Sequence, residues 1–286
     1  MRVVRSVAQL RAALRESGPG GVGLVPTMGA LHEGHLSLIR AARRDHATVV
    51  VSVFVNPTQF TEAADLASYP RDEARDVELA ASAGAGLVFA PDAAEMYPEG
   101  FATSVSVRGA ITETLEGAMR GSAHFDGVAT VVAKLLIAAA PDSAYFGAKD
   151  AQQVVVVRRM VADLGIPTRI VVCPTSREEN GLARSSRNTR LSPEARTRAL
   201  AIPGALRAVQ RAVRDGERSA TELHRLATEV LAGAGLRAEY FAFVHPDTLL
   251  PIEHVLGPTL CAVAARVDEV RLIDNVLLDP AEAPAR

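Results

Sequence analysis

Short runs of apolar residues alternate along the first part of the chain with longer segments in which apolar side chains recur every three or four positions. Strands buried in a parallel sheet are short apolar runs, and the helices that cover such a sheet have the longer period. This alternation predicts an α/β fold built on a doubly wound parallel sheet. The runs are Val22–Val25, Thr48–Val55, Gly86–Ala90, Ala144–Gly147 and Arg169–Cys173, and the helical segments are His35–Asp45, Arg71–Ala83, Gly127–Ala140 and Asp150–Leu164.

The composition changes after Cys173. The segment Thr175–Arg198 is rich in arginine, and Ser192 followed by Pro193 is typical of a helix N-cap and first helical residue. A pair of helices and three strand-like segments are predicted beyond this point, which indicates a smaller α+β domain. These segments are Pro193–Asp215, Ser219–Ala234, Ala238–Val244, Thr259–Val267 and Val270–Asp274.

Charge and cysteine content narrow the functional class. The 286 residues carry a formal net charge of −2. The chain therefore lacks the excess of basic residues that is typical of proteins that bind nucleic acid. Cys173 and Cys261 cannot build a disulfide framework, so a reducing compartment fits best. The first 17 residues alternate apolar and charged residues at helical spacing, unlike a signal peptide, and no stretch is apolar enough to suggest a membrane span. We expect a cytoplasmic protein with small-molecule substrates and no nucleic-acid or membrane partner.

The first motif is PTMGALHEGH, residues Pro26–His35, where the first predicted strand ends and a helix begins. Ligands bind at such strand ends, and the following helix N-terminus favours negative charge. Small residues would let backbone N–H groups approach a phosphate, and His32 and His35 would add donors. A zinc peptidase needs histidines four positions apart on a helix, whereas these are three apart at a turn. A solvated turn is the simpler interpretation of an isolated pair, but the position after a buried strand favours a phosphate clamp.

The second motif is FVNPTQF, residues Phe54–Phe60, at the end of the most β-branched run in the chain. The amides of Asn56 and Gln59 both donate and accept, so they could orient a small polar substrate while the flanking phenylalanines exclude water. Asn-Pro alone is also an ordinary turn signal.

The third motif, Tyr145–Gln153, again joins a strand to a helix through a turn. The chain has two lysines, and Lys149 lies beside Gly147 in this turn, where an ammonium could meet a phosphate. Asp150 is equally suited to cap the helix, which is compatible with that role.

The fourth motif is Arg184–Asn188. Its serine hydroxyls and the guanidinium of Arg187 could hold triphosphate oxygens from a second side. The alternative is an arginine-rich, solvated linker, since nine arginines lie between Arg177 and Arg214.

Together, the four motifs resemble those of the pantoate–β-alanine ligase family along essentially the whole chain. Pro26–His35 is similar to the family's version of the nucleotidyltransferase HIGH motif, Phe54–Phe60 to its pantoate-binding segment, and Ser185–Asn188 to its counterpart of the KMSKS loop. The resemblance implies a Rossmann-like ATP- and pantoate-binding domain at residues 1–175. It also implies an α+β domain at residues 176–286 that forms the lid of the active site, with ATP bound between the HIGH-like and KMSKS-like motifs.

The resemblance further implies that two histidines, one lysine and one arginine carry the catalysis: His32, His35, Lys149 and Arg187. His35 occupies the family's proton-donor position. The matching ATP contacts are Met28, Gly29, Ala30, Leu31, His32, Glu33, Gly34, His35, Gly147, Ala148, Lys149, Asp150, Ser176, Arg184, Ser185, Ser186 and Arg187.

Pantoate is implied to bind at Gln59 and Gln153, with Asn56 beside them, and β-alanine at Gln59. Asp76 occupies a position where relatives bind Mg²⁺, although a neighbouring acidic position is Arg75 here. The implied reaction condenses (R)-pantoate with β-alanine and converts ATP into AMP and pyrophosphate through a pantoyl-adenylate, within pantothenate and coenzyme A biosynthesis. A homodimer is also implied.

The chain departs from the family pattern at three places. Ala148 replaces a common Glu, Arg184 replaces a common Met, and Arg120–Phe125 is one residue longer than the family's R-P-G-H-F segment. Two other functions remain open: a nucleotidyltransferase that makes a nucleotide-containing product, and an inactive nucleotide-binding module on the same fold. An aminoacyl-tRNA synthetase fits less well, because the chain is short and lacks a basic extension.

Overall fold

The computed structural model describes residues 1–60 and 63–282. The chain divides into two compact units. The first unit comprises residues 1–148 and 156–174, and the second comprises residues 149–155 and 175–286. Each unit has its own sheet, with six strands in one and three in the other.

A six-stranded parallel sheet forms the centre of the first unit. This confirms the predicted fold class. Its strands are β1 (Arg2–Val4), β2 (Val22–Thr27), β3 (Thr48–Val53), β4 (Leu87–Phe89), β5 (Ser143–Gly147) and β6 (Arg169–Cys173). Only β1 lacked a predicted counterpart, because its three residues lie in a segment whose spacing is helical.

The strand order is β1-β4-β3-β2-β5-β6. After β2 the chain moves outward through β3 to β4, and it later returns to the other side of β2 with β5. The switch in direction therefore falls between β2 and β5, and ligands of open α/β sheets bind outside the carboxyl ends of strands at such a point. Thr27 and Gly147, where these strands end, belong to the first and third motifs.

The α-helices follow in chain order and include several short ones that the sequence pattern did not predict. They are α1 (Val7–Glu16), α2 (Glu33–Asp45), α3 (Ala63–Ser68), α4 (Glu73–Ser82), α5 (Ala93–Met96), α6 (Ala110–Glu113), α7 (Glu116–Arg120), α8 (Ser122–Ala139), α9 (Ala151–Asp163), α10 (Pro193–Ala199), α11 (Ala201–Arg214) and α12 (Ala220–Gly233). Short 3₁₀ turns lie at Pro57–Gln59, Ala148–Asp150, Ser186–Arg190 and Pro280–Glu282.

Helix α2 holds the first motif against the sheet. It packs on β2, β3 and β5, and it buries Leu36, Ile39 and Ala42, which lie three apart along one helical face. Because this face is fixed in the core, the N-terminus of α2 is held at the edge where β2 ends.

Helix α8 is long and apolar enough to cross a membrane by length and composition, with a mean hydropathy of 1.3 over 18 residues. The expectation that no stretch meets this test was therefore wrong. Two thirds of the helix is buried inside the protein, where it packs against α1, β2 and the Pro57–Gln59 turn. It is a core helix, and its apolar character follows from that burial.

The second unit contains an antiparallel sheet in the order β7-β8-β9, with β7 at Ala238–Val244, β8 at Thr259–Val267 and β9 at Val270–Leu278. Helix α11 packs against α12, β8 and β9. The predicted α+β character is confirmed, and β9 runs four residues beyond the predicted end at Asp274.

Candidate active site

The loop after β2 is anchored at its first residue. Thr27 donates its hydroxyl to the carbonyl of Ser52 at 2.6 Å, and the same oxygen accepts the backbone N–H of Gly29 at 3.1 Å. Gly29 and Ala30 then adopt φ values of +80° and +49°. Glycine occupies this left-handed region readily, so the motif's Gly allows the chain to turn sharply into α2.

The carboxylate of Asp76, on α4, supports this loop. Its Oδ2 accepts the N–H of Ala30 at 2.9 Å and its Oδ1 accepts the N–H of Leu31 at 2.7 Å. Asp76 is 2% exposed, and burial raises the pKa of the carboxyl although the two backbone donors oppose that shift. The backbone N–H groups of residues 29–31 are therefore bonded within the protein. The expectation that backbone N–H groups of this turn approach a phosphate stays a prediction.

The two histidines of the motif stand together at the start of α2, with ring centroids 4.1 Å apart. Nδ1 of His32 accepts the N–H of Gly34 at 3.1 Å, and Nδ1 of His35 accepts the N–H of His32 at 3.4 Å. A ring nitrogen that accepts a hydrogen bond carries no proton, so both neutral rings hold their proton on Nε2. The pair thus has two Nε2–H donors next to a helix N-terminus, an arrangement suited to phosphate oxygens.

The amide of Asn56 is the centre of a buried hydrogen-bond cluster. Its Oδ1 accepts from the hydroxyls of Thr58 at 2.9 Å and Tyr97 at 2.7 Å, and its Nδ2 donates to Gln59 Oε1 at 3.0 Å and to the carbonyl of Gly127 at 3.1 Å. Asn56 is 1% exposed. Its donors and its acceptor are used inside the protein, and through Nδ2 it orients Gln59. The predicted contact of Asn56 with pantoate stays a prediction.

Gln59 is fixed by contacts from three directions. Asn56 holds its Oε1, its Nε2 lies 3.1 Å from the sulfur of Met28, and its backbone carbonyl lies 2.7 Å from Nδ1 of His124. The contact with Met28 brings the first and second motifs together within the first unit. Gly127 on α8 permits this, because a Cβ there would lie 2.4 Å from the carbonyl oxygen of Thr58.

Two residues of this cluster were not predicted from the sequence. Tyr97 lies in no motif, and its contacts with Asn56, Thr58 and Phe54 of the second motif identify it. His124 belongs to the lengthened Arg120–Phe125 segment, which forms the end of α7 and the start of α8. Arg120 pairs with Glu116 at 2.9 Å within this region.

The third motif continues into the second unit. Lys149 lies in the 3₁₀ turn before α9, with its side chain 17% exposed and its Nζ 3.5 Å from Asp150 Oδ1. Gln153 is in the first turn of α9 and half-buried. Gly147 and Ala148 belong to the first unit.

The fourth motif follows a hairpin-like loop in the second unit. Arg177 and Ala183 form an antiparallel bridge, and the N–H of Arg184 donates to the carbonyl of Ser176 at 2.9 Å. The Nε of Arg184 donates to the carbonyl of Arg177 at 3.2 Å, so this residue, where the family commonly has Met, braces the loop.

Ser185 caps the next turn, with its hydroxyl accepting the N–H of Arg187 at 3.2 Å. The side chain of Asn188 donates to Glu178 Oε1 and to the carbonyl of Ala183, each at 3.0 Å. Ser185, Ser186 and Arg187 are half-buried. The segment is therefore an ordered, braced turn, unlike the solvated linker that arginine content alone would allow.

The predicted magnesium ligand does not fit such a role. Asp76 is buried and both of its oxygens accept backbone N–H groups. Over residues 1–60 and 63–282, no group of three or more His, Cys, Asp or Glu side chains is placed to hold a metal ion. The geometry assigns Asp76 to the support of the loop.

Comparison with known proteins adds an independent line of evidence. A family model described as pantoate-beta-alanine ligase matches residues 2–277. Pantothenate synthetase from Thermus thermophilus is 52% identical over 281 residues, covering 98% of this chain and 100% of that protein. A crystal structure of pantothenate synthetase from the same organism matches with a TM-score of 0.92, covering 96% of this chain and 99% of that one. The pantoate-beta-alanine ligase of Francisella tularensis, crystallised with β-γ ATP and β-alanine, matches over 100% of both chains at 33% identity and a TM-score of 0.82.

Proposed function

The chain belongs to the pantoate–β-alanine ligase family, and we propose that it condenses pantoate with β-alanine in an ATP-dependent reaction that releases AMP and pyrophosphate. The observation that carries this proposal is the pair of adjacent imidazoles, His32 and His35, at the helix N-terminus beside the switch point of the sheet. The Nε2–H donors of the two histidines suit a nucleotide triphosphate, and Gln59, which contacts Met28 of the same motif, suits a small polar acid. In the proposal, the ammonium of Lys149 is a further phosphate contact.

In the proposed reaction, a pantoate carboxylate oxygen bonds to the α-phosphorus of ATP while the bond from that phosphorus to the pyrophosphate oxygen breaks. The amine of β-alanine then bonds to the carbonyl of the pantoyl-adenylate, AMP leaves, and the amine loses a proton. Such transfers depend on positioning and on stabilising charge in the transition state. His32, His35, Lys149 and Arg187 supply positive charge or donors for this purpose, so no protein nucleophile is required.

In the proposal, side-chain amides determine where the two small substrates bind. Gln59 and Gln153 bind pantoate, and Gln59 also faces β-alanine, while Asn56 acts through Gln59. Magnesium belongs to the proposal as the counter-ion of the ATP phosphates, since Mg²⁺ keeps several waters and is commonly held through substrate phosphates. The lid role of the C-terminal domain stays a prediction.

The proposal also includes a cytoplasmic homodimer without nucleic-acid or membrane partners. The near-neutral charge and the sequence pI of about 6.4 support the absence of a nucleic-acid partner. Sedimentation analysis across protein concentrations tests the dimer directly, and a single monomeric species throughout would refute it.

The activity test incubates purified protein with ATP, Mg²⁺ and pantoate, with and without β-alanine, and follows the products by mass spectrometry. Equal amounts of AMP and pantothenate, formed only with β-alanine, are the expected result. A nucleotide-containing end product would instead indicate another nucleotidyltransferase. ATP binding without any turnover would indicate an inactive nucleotide-binding module.

The roles of individual residues are tested by pantoate-dependent exchange of labelled pyrophosphate into ATP, which reports adenylate formation without β-alanine. His35→Ala and Lys149→Ala are each expected to slow exchange at least about 100-fold, the usual scale for removing a positioned charge-stabilising group. His224→Ala, an exposed histidine on α12, is the matched control and should exchange at the wild-type rate. Exchange at the wild-type rate in His35→Ala would remove His35 from the mechanism.

A further inference from the structure

Strand β9 carries two adjacent polar residues, Asp274 and Asn275, that are 3% and 8% exposed. Buried polar side chains are retained only with hydrogen-bond partners, and a buried carboxylate needs a charged one. The partners of these two residues lie in two separate segments of the second unit. Both segments carry residues that the proposed function assigns to ATP.

Asn275 holds the backbone at Lys149. Its Nδ2 donates to the carbonyl oxygen of Lys149 at 2.8 Å, across 126 residues of sequence. The carbonyl lies in the 3₁₀ turn Ala148–Asp150, from which the lysine side chain projects. Fixing this peptide fixes the origin and direction of a flexible four-carbon side chain, whose ammonium has no geometric preference of its own.

Asp274 holds the loop that leads to the fourth motif. Its two carboxylate oxygens accept from the two terminal nitrogens of Arg177 at 2.7 and 2.9 Å, a bidentate pair with the carboxylate side chain 2% exposed. The same guanidinium donates to the carbonyl of Gly181 at 3.1 Å. The backbone carbonyl of Arg177 accepts a hydrogen bond from Nε of Arg184. The contacts of Asp274 therefore extend through Arg177 to the residue that precedes Ser185.

Asp274 and Asn275 are also joined to each other and to the neighbouring strand. The backbone N–H of Asn275 donates to Asp274 Oδ1 at 2.8 Å, and Arg177 also reaches the carbonyl of Asn275 at 3.4 Å. Both residues pair with β8, opposite Val263 and Ala262. Lys149, Ser185 and Asp274 moreover line the same cavity of about 10 Å³, so the three segments converge within this unit.

We propose that Asp274 and Asn275 are positioning residues that hold Lys149 and the Arg184–Arg187 segment in fixed register for binding the ATP triphosphate. The inference rests on the proposed function, because it takes Lys149 and Arg187 as nucleotide contacts. Adjacent residues of one strand suit the task, since their spacing is set by the backbone and the paired strand keeps it constant.

The test compares Asn275→Ala with Val263→Ala, which removes buried volume from the neighbouring strand and leaves Asp274 and Asn275 intact. ATP dissociation constants are measured by calorimetry, and unfolding midpoints are recorded for each variant. We expect Asn275→Ala to weaken ATP binding about tenfold, a typical coupling between residues in contact, and Val263→Ala to leave ATP affinity within about twofold at a comparable loss of stability. Equal ATP affinities in the two folded variants would overturn the proposal.

A double-mutant cycle separates positioning from general loosening. If Asn275 acts through Lys149, adding Asn275→Ala to Lys149→Ala should change ATP affinity by less than about twofold. Fully additive effects would show that Asn275 acts elsewhere and would overturn its assignment. Arg177→Lys, which keeps the charge but loses the bidentate geometry, should also weaken ATP binding, and wild-type affinity in this variant would overturn the role of Asp274.

The binding measurements do not depend on turnover. A wild-type protein that binds ATP but makes no pantothenate, together with the expected loss of affinity in Asn275→Ala, would reject the proposed function and retain the positioning. Normal turnover with unchanged ATP affinity and unchanged KM for ATP in Asn275→Ala would reject the positioning and retain the function.

Discussion

Oδ1 of Asp76 accepts a 2.7 Å hydrogen bond from the backbone N–H of Leu31, although 45 residues separate the two. The carboxylate thereby fixes the loop from which His32 and His35 start. Asp76→Asn keeps the shape but replaces one acceptor by an NH₂ group that faces a backbone donor. Leaving a buried donor unsatisfied costs about 1–3 kcal/mol. We expect the free energy of unfolding to fall by that amount and the rate of pyrophosphate exchange to fall with it.

The magnesium dependence of this variant decides between the two roles of Asp76. If Asp76 is a metal ligand, Asp76→Asn should raise the Mg²⁺ concentration needed for half-maximal activity, and excess Mg²⁺ should restore the rate. A loop support predicts the same loss of rate at every Mg²⁺ concentration. Glu78→Gln, an exposed acidic residue on the same helix, is the control and should behave as wild type.

Gly29 is required by its backbone conformation and by the closeness of Asp76. Its φ is +80°, and a Cβ would lie 2.7 Å from Asp76 Oδ2. The left-handed conformation alone costs a residue with a Cβ about 1–2 kcal/mol, and the contact adds to that. Gly29→Ala should therefore lower the free energy of unfolding in urea by at least this amount. Gly18→Ala, with no heavy atom within 4 Å of the added methyl, should change it by less than about 1 kcal/mol.

Gly127 governs the position of Gln59. A methyl group on this helical glycine would lie 2.4 Å from the carbonyl oxygen of Thr58 and 2.8 Å from the backbone nitrogen of Gln59. We expect Gly127→Ala to displace the Pro57–Gln59 turn and raise KM for pantoate more than KM for ATP, with about 1–3 kcal/mol of overpacking. Gly204→Ala on α11 meets only Val230 at 3.8 Å and should leave both constants unchanged.

The tyrosine that sequence reasoning missed gives a further prediction. Tyr97 donates its hydroxyl to Asn56 Oδ1 at 2.7 Å, and that oxygen also accepts from Thr58. Tyr97→Phe removes the hydroxyl without changing the ring. Its hydrogen bond to Asn56, worth about 1 kcal/mol, is lost together with its 3.3 Å contact with the Thr58 hydroxyl. Steady-state kinetics should show a severalfold higher KM for pantoate and an unchanged KM for ATP. Equal changes in both constants would indicate a general loss of structure.

The apolar runs in the sequence located β2, β3, β4 and β5 because these strands are largely buried along their length. The bounds of β6, and of β7 and β8 in the second sheet, agree with the predicted segments, as at Arg169–Cys173. The sequence predicted that the last strand ends at Asp274, whereas β9 continues to Leu278. Here the two residues continue the strand, since Arg177 and the carbonyl of Lys149 satisfy their side chains.

The same pattern of apolar runs predicted that the motifs lie at strand ends. It did not predict which distant residues hold the motif backbones in place. Asp76 under Leu31 and Asn275 on Lys149 join residues 45 and 126 positions apart, and no local spacing encodes such pairs. Asn56 was predicted to face pantoate because its residue type suits that role. Its burial with Tyr97 and Gly127 appears only after the chain is folded.

The last prediction concerns the brace of the fourth motif. Glu178 accepts from Asn188 at 3.0 Å and from Arg196 at 2.5 Å. Burial raises the pKa of Glu178, but these hydrogen bonds and the charges of Arg196 and Arg184 outweigh it, so the pKa lies below its ordinary value of about 4.5. A carboxylate whose pKa is lower in the folded state than in the unfolded state stabilises the fold at pH values above its unfolded-state pKa. That contribution is lost as the pH falls through its folded-state pKa.

Glu178→Gln should therefore lower the unfolding midpoint most at pH 7, and the difference from wild type should shrink below about pH 4.5 as Glu178 becomes protonated. Thermal unfolding between about pH 3 and about pH 7, a range that brackets the change, measures this directly. Glu179→Gln is the matched control, because its side chain is exposed, and it should track wild type throughout. A constant difference between Glu178→Gln and wild type over the whole range would mean that the brace depends on the shape of the side chain and not on its charge.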